Sequence, residues 1–350
     1  MKKVAEWYPV MAMVGIDMAF AVSNILLKKV VNDGIDHLVF ITYRQSVSAV
    51  FLFPLAYFLE SCRGSRPKLT FSILCNLFVS AVIGASVTQY LFLLGIEYTS
   101  ATFSCAFLNL VPVFTFIMAL PFGLERVSIK CSSGRGKVAG ALVCVGGAML
   151  LTVYKGMPLF HFQRVQSMKP HMFIHGRERW AVGSVALFVG TICWSSWFLL
   201  QTHIGKRYPC QYSTTAIMAF FSAVQAAVLT FSVDRHLSVW ILKNKSDILV
   251  VLYSGMIGSG LCFVGMSWCV KKRGPVFTAA FSPLVQIMAA MYDVPVMHEQ
   301  LHLGSVIGSV VVIAGLYIML WGKDREMSHN QEKLVQGNHQ EMKISIPSKF

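Results

Sequence analysis

Few side chains in this sequence could do chemistry, and nearly all of them sit inside runs of apolar residues. Asp17, in VGIDMAF, is followed seven residues later by Asn24, which places both on one face of a helix. A carboxyl inside hydrocarbon is expensive, so it reads as a proton-coupling group or as an anchor for a substrate ammonium. The competing reading is an acid held protonated or hydrogen-bonded inside a helix bundle. Gln89 and Tyr90 are adjacent polar groups in a third apolar run, and Thr102, Cys105, Asn109 and Pro112 share one face of a fourth. Trp194, Trp197 and Gln201, at i, i+3 and i+7, put two rings and an amide on one stripe. That stripe can stack on an organic solute or attract an ammonium, or it can simply pack or face lipid. All of this is binding chemistry. No GxSxG occurs, and GRGK at 134–137 lacks the GxxxxGK[ST] spacing of a phosphate loop, so no enzyme is expected. The nine cysteines include no CxxC pair and read as small packing residues; no metal or cofactor is expected.

The elements that hold these groups follow from composition. Of the 350 residues, 55% are hydrophobic and 13% charged, with a mean hydropathy of +0.60. A soluble domain of this size needs more charge to cover its surface. The net charge of +14 lies in short clusters between apolar blocks, which fits membrane-flanking segments and not a nucleic-acid surface. Ten runs of membrane-spanning length occur near 9–27, 38–59, 72–95, 100–122, 136–153, 181–203, 212–232, 247–270, 275–296 and 303–321. The first has no small-residue cleavage site and reads as a retained helix. Each must be helical, because a lone strand would leave its backbone unpaired in lipid.

Lysine and arginine orient the bundle. Nineteen fall on the N-terminal side and ten on the other, with Arg44 near the start of the second span, where an interfacial, structural role is expected. Both termini are therefore expected in the cytoplasm. The domain reading is a first five-helix unit at 9–153, an extracytoplasmic linker at 154–180, a second unit at 181–321 and a disordered cytoplasmic tail at 322–350.

The two units repeat each other. FSCAFLNLVPVFTFIMALPFGLE at 103–125 aligns without a gap with FTAAFSPLVQIMAAMYDVPVMHE at 277–299, an offset of 174, with seven identities in 23 positions. Phe107 pairs with Phe281, and Glu125 with Glu299. These stretches are spans four and nine, five crossings apart, so the second copy runs in the opposite direction. That is an inverted-topology repeat, the architecture that suits alternating access. On span nine, Val276, Ala279, Pro283 and Gln286 take the places of Thr102, Cys105, Asn109 and Pro112, and Asp293 continues that face as a second proton-coupling candidate. Pro112 and Pro283 each remove a backbone donor, freeing the carbonyls of Leu108 and Ala279 either for substrate or merely for a kink. Glu125 and Glu299 end their spans on opposite sides, as gate or capping partners. The GxxxG pairs at 136/140 and 304/308 read as helix packing.

YRQSVSAVFLFPLAYFLE (43–60), YLFLLGIEYTSATFSCAFLNLVPVFTFIMA (90–119) and GKVAGALVCVGGAMLLTVYKG (136–156) resemble the plant nodulin-like, Walls-Are-Thin-related transporters. These are EamA-type members of the drug/metabolite transporter superfamily. The resemblance spans about residues 10 to 322 and implies ten helices, cytoplasmic termini, and transport of amino acids or, for some members, auxin. It implies a plasma-membrane or vacuolar location, the plasma membrane being the first expectation. Where auxin-type members tend to carry a neutral polar residue in span one, this chain has Asp17. The expected function is thus a facilitator or proton-coupled carrier of amino acids or similar small organic solutes. Its substrate contacts are expected from Asp17, Asn24, Gln89, Tyr90, Asn109, Pro112, Trp194, Trp197, Gln201, Phe281, Pro283 and Gln286. The alternatives are an auxin or other organic-acid transporter, and a membrane receptor or scaffold.

Overall fold

The computed structural model describes residues 2–32, 35–61, 67–99, 104, 107–124, 131–154, 176–233, 240, 244–285, 287–288 and 303–344. Every regular element among them is helical. In chain order these are α1 (Lys2–Asn32), α2 (His37–Ser61), α3 (Phe71–Tyr98), α4 (Val111–Ala119), α5 (Ser132–Val153), α6 (Gly176–Arg207), α7 (Gln211–Val233), α8 (Lys245–Arg273), α9 (Pro275–Ala280) and α10 (Leu303–Ile344). Among the described residues, six stretches are long and apolar enough to cross a membrane: His37–Glu60, Phe71–Tyr98, Glu178–Arg207, Gln211–Ser232, Lys245–Arg273 and Val306–Glu326. Their outer faces expose Val50, Phe58, Phe71, Val228, Leu249 and Tyr317, a surface suited to lipid and not to water.

The helices pair across the two halves. α2 packs on α7 and α5 on α10, while α1 packs on α8 as α6 packs on α3. The central cluster gathers Met13, Trp197, Phe263, Phe277 and Phe281 from α1, α6, α8 and the ninth span. The α5–α10 seam is glycine-lined: Gly140 and Gly147 of α5 face the backbone of α10 at Met319 and Val312. The GxxxG glycine Gly140 is therefore a packing residue, as its motif suggests.

Two features show the duplication more sharply than the opening identities do. α3 switches to π-helical hydrogen bonding over Ala81–Val87, and α8 does so over Ser254–Leu261. Aligned at the same offset of 174, these segments match Ile83-Gly84 with Ile257-Gly258. Ser80 matches Ser254, and Ser48-Ala49-Val50 of α2 matches Ser222-Ala223-Val224 of α7. π-helical turns widen a helix and are frequent at functional positions.

The chain departs from expectation in two places. The expected fourth span is broken: Asn109 and Leu110 form a turn, and α4 starts at Val111 with Pro112 in its first turn. The ninth is likewise interrupted at Phe281 after α9, with Pro283 just beyond. The prolines thus open new helical segments, where their missing N–H costs nothing, instead of kinking a continuous span. The second departure is the tail, since α10 continues to Ile344 through residues expected to be disordered. The segment is rich in Glu, Lys, Gln and Met, which extend a helix well. Glu326 there forms an ion pair with buried Lys137 of α5, and Arg325 lies 4.6 Å from the Trp321 ring centre.

Glu60, near the end of α2, caps α7 in trans. Its carboxylate accepts from the Tyr212 N–H at 2.8 Å, the Ser213 N–H at 3.2 Å and the Ser213 hydroxyl. The first turn of a helix has spare donors and a positive dipole end, so a carboxylate is well placed there. Glu60→Ala is expected to destabilise the bundle by about 1–3 kcal/mol. Thermal unfolding of the purified protein in detergent reads this directly, and an unchanged midpoint would remove the cap from the account.

Candidate functional site

Asp17 is the sixteenth of the 31 residues of α1, and only 2% of its surface is exposed. Its Oδ2 is buried without a hydrogen-bond partner among the described residues. It lies within electrostatic reach of Cys262 and Cys269 on α8. An acid placed so must hold a proton or meet a cation, because a bare buried charge is costly.

The aromatic stripe of α6 is neither lipid-facing nor free. Trp197 is fully buried and donates its indole N–H to Met218 Sδ at 3.4 Å. Trp194 stacks on it at 4.9 Å with planes 7° apart, and Phe263 of α8 meets both rings edge-on. Gln201 donates to Ser80 Oγ at 3.3 Å and accepts from Ser267 at 3.5 Å. Trp197 and Gln201 are therefore engaged within the protein, and Trp194, partly buried, is the ring left on the face of this wall.

Asn109 is buried at the break before α4. Near that break the carbonyls of Phe107 and Val111 accept hydroxyls of α6, Thr191 at 3.4 Å and Ser195 at 3.3 Å. Gln89 is half-buried with its Oε1 unpartnered among the described residues, whereas Tyr90, 37% exposed, turns to the outer surface and does not join it. Phe281 is buried and rests its ring on Phe277 at 5.1 Å; Pro283 is also buried. Asn24 is half-buried, and its neighbour Ser23, passed over in the sequence, is the α1 residue that reaches the π-turn of α8 at Gly258. Gln286, Asp293, Glu125 and Glu299 lie outside the described residues. So does His298-Glu299-Gln300-Leu301-His302, which has HExxH spacing; the repeat partner of its glutamate, Glu125, has no flanking histidines.

Arg44 is the larger omission. It is the eighth residue of α2, not an interfacial one: its guanidinium lies beside Gly258, near the middle of α8. Ser23 Oγ meets the same glycine. On α1, α2 and the π-turn of α8, the hydroxyls of Ser23, Ser48, Ser254 and Ser259 and the amide nitrogen of Gln45 are buried with no hydrogen-bond partner among the described residues. The signal for these was present in the repeat, at the same offset, but the identities are too sparse to stand out alone.

Two membrane-embedded halves around an interior of buried polar groups define an integral membrane protein of transporter architecture. The EamA-like transporter family matches residues 7–153 and 181–321, so the family matches once in each half. The chain belongs to that family. It is 47% identical over 333 residues to the WAT1-related protein At4g01440 of Arabidopsis thaliana, covering 94% of this chain and 90% of that one. It is also 47% identical over 335 residues to the WAT1-related protein At3g30340 of the same plant, covering 93% and 90%. A protein crystal structure 14% identical in sequence superposes with a TM-score of 0.64, covering 88% of this chain and 98% of that one, a likeness of fold alone.

Proposed function

We propose that this protein is a secondary carrier that moves amino acids or similar small organic solutes by alternating access, with both termini cytoplasmic and ten crossings in two inverted halves. The observation that carries this is the buried Asp17 carboxyl at the centre of α1, whose Oδ2 has no hydrogen-bond partner among the described residues. Interruptions in the expected fourth and ninth spans support it, since broken helices place backbone polar groups where a solute can use them. In this reading Asp17 takes a proton or a substrate ammonium, with Asn24, Gln89, Asn109 and Trp194 as neighbouring contacts and Asp293 as a second proton candidate. Trp197, Gln201, Phe281, Pro112 and Pro283 form walls. Glu125 and Glu299 serve as gate partners. No catalytic step is assigned, and the plasma membrane is the proposed location.

Counterflow of labelled glutamine in proteoliposomes tests this, run with and without an inward proton gradient. Exchange insensitive to the gradient makes the protein a facilitator, and gradient-driven accumulation makes Asp17 the leading proton site. No counterflow of glutamine or of the auxin indole-3-acetate would leave the receptor or scaffold reading.

A further inference from the structure

The repeat builds one frame twice and fills the two copies with different side chains. In the second copy Gly84, in the π-turn of α3, faces the indole of Trp197; a Cβ on Gly84 would lie 2.0 Å from Trp197 Cδ1. Met218 Sδ receives the Trp197 indole N–H at 3.4 Å and the Ser80 hydroxyl at 3.4 Å. Ser222 bonds Ser86 at 2.9 Å. That frame is closed by its own side chains.

The corresponding residues of the first copy, 174 positions away, are Gly258 for Gly84, Ser254 for Ser80, and Ser48 for Ser222. Glycine and both serines are kept. The two residues that fill the frame are not: Ser23 stands where Trp197 does, and Arg44 where Met218 does. The contacts follow the same plan, because a Cβ on Gly258 would lie 3.1 Å from Ser23 Oγ and 3.3 Å from Arg44 Nη2. A Cβ on Gly260, which matches Ser86, would lie 3.6 Å from Ser48 Oγ, the counterpart of the contact between Ser86 and Ser222.

A large indole has thus been exchanged for a hydroxymethyl, and a thioether for a guanidinium. The hydroxyls of Ser23, Ser48, Ser254 and Ser259 are more than nine-tenths buried and lack hydrogen-bond partners among the described residues. Arg44 Nε is buried without a partner among the described residues, while the residue as a whole keeps accessible surface. No carboxylate among the described residues forms an ion pair with Arg44. A planar fork of donors beside the Ser23 hydroxyl, at a π-turn that carries further unpartnered hydroxyls, is chemistry for a carboxylate inside a bundle.

We infer that the surroundings of Gly258 form a carboxylate-binding subsite in which Arg44 holds the acid group of the solute and Ser23, with Ser48 and Ser254 at the same π-turn, completes its hydrogen bonds. This rests on the carrier reading above and narrows it: the solute bears a carboxylate, whether an amino acid or a plain organic acid. The subsite is the polar counterpart of the place that Trp197 and Met218 occupy in the other half.

Thermal stabilisation of the purified full-length protein tests it. The probes are glutamine and indole-3-acetate, each beside the derivative in which a carboxamide replaces its carboxylate. The expected result is stabilisation of the wild type by at least one acid, with roughly ten- to a hundred-fold more of the matching amide needed for the same shift. Arg44→Gln loses that preference and Arg44→Lys keeps part of it. Ser23→Trp, which copies Trp197 into the corresponding place, loses the response to acid; it decides the matter if Arg44→Gln fails to fold. Equal response to acid and amide, no response to either acid, or Ser23→Trp binding like the wild type would each overturn the subsite. Acid binding without counterflow would instead sink the carrier reading and leave the subsite standing.

Discussion

Asp17→Asn is expected to lower glutamine counterflow roughly ten- to a hundred-fold, the loss that follows from removing one charge-assisted contact in a dry interior. The substitution keeps the shape of the side chain and removes the group that can bind a proton or meet a cation. Its fold should survive, because the carboxyl it replaces has an oxygen without a partner among the described residues and so contributes little to holding α1 in place. A purely structural acid gives the opposite pattern: unfolding at lower temperature with transport per folded molecule unchanged. Measuring both quantities on the same preparation separates the two, and full transport by the asparagine variant would remove Asp17 from the mechanism.

Gly140→Leu is expected to have the largest effect on folding. A Cβ at this position would stand 2.5 Å from the Met319 nitrogen, 2.7 Å from its Cα and 2.8 Å from the Gly315 carbonyl oxygen. These are backbone atoms of α10, which cannot swing aside as a side-chain tip can. α5 and α10 would have to separate along a seam where Gly315 in turn approaches the backbone of Cys144. Overpacking of this kind costs about 3 kcal/mol, and more where no rotamer change relieves it. Gly146→Leu is the control, since Gly146 is exposed and a Cβ there meets nothing within 4 Å. The expected readout is loss of monodisperse protein for Gly140→Leu and near wild-type yield for Gly146→Leu. Equal behaviour of the two variants would show that the α5–α10 seam is looser than its geometry indicates.

Much of the architecture was legible in the sequence because long apolar runs in lipid have one outcome, and because the stretches at 103–125 and 277–299 repeat visibly. The site was legible only in part. Asp17 stood out, since a charge in an apolar run needs no tertiary information to be noticed. Ser23 did not, although it lies next to Asn24: one step along a helix turns the side chain by about 100°, and only the position of α8 decides which face matters. Arg44 was assigned to the interface because charges are driven to the ends of spans. Its place inside the bundle depends on Gly258, whose lack of a side chain makes room for the guanidinium, and a glycine does not announce what it admits. Pro112 and Pro283 suggested kinks, but a proline does not reveal whether it bends a helix or begins one. The tail was misjudged on polarity alone, which carries no helix propensity.

The central claim is that the polar interior around α1, α2 and α8 opens to each side of the membrane in turn. Ser23→Cys, in a background whose other cysteines are replaced, tests it most directly with a membrane-impermeant thiol reagent applied from one side at a time. Ser23 is buried in this conformation, so its labelling reports opening and not static exposure. The account predicts labelling from the cytoplasmic face and, separately, from the opposite face, with saturating solute slowing both. Labelling from one face only, or from neither while the protein catalyses counterflow, would contradict it.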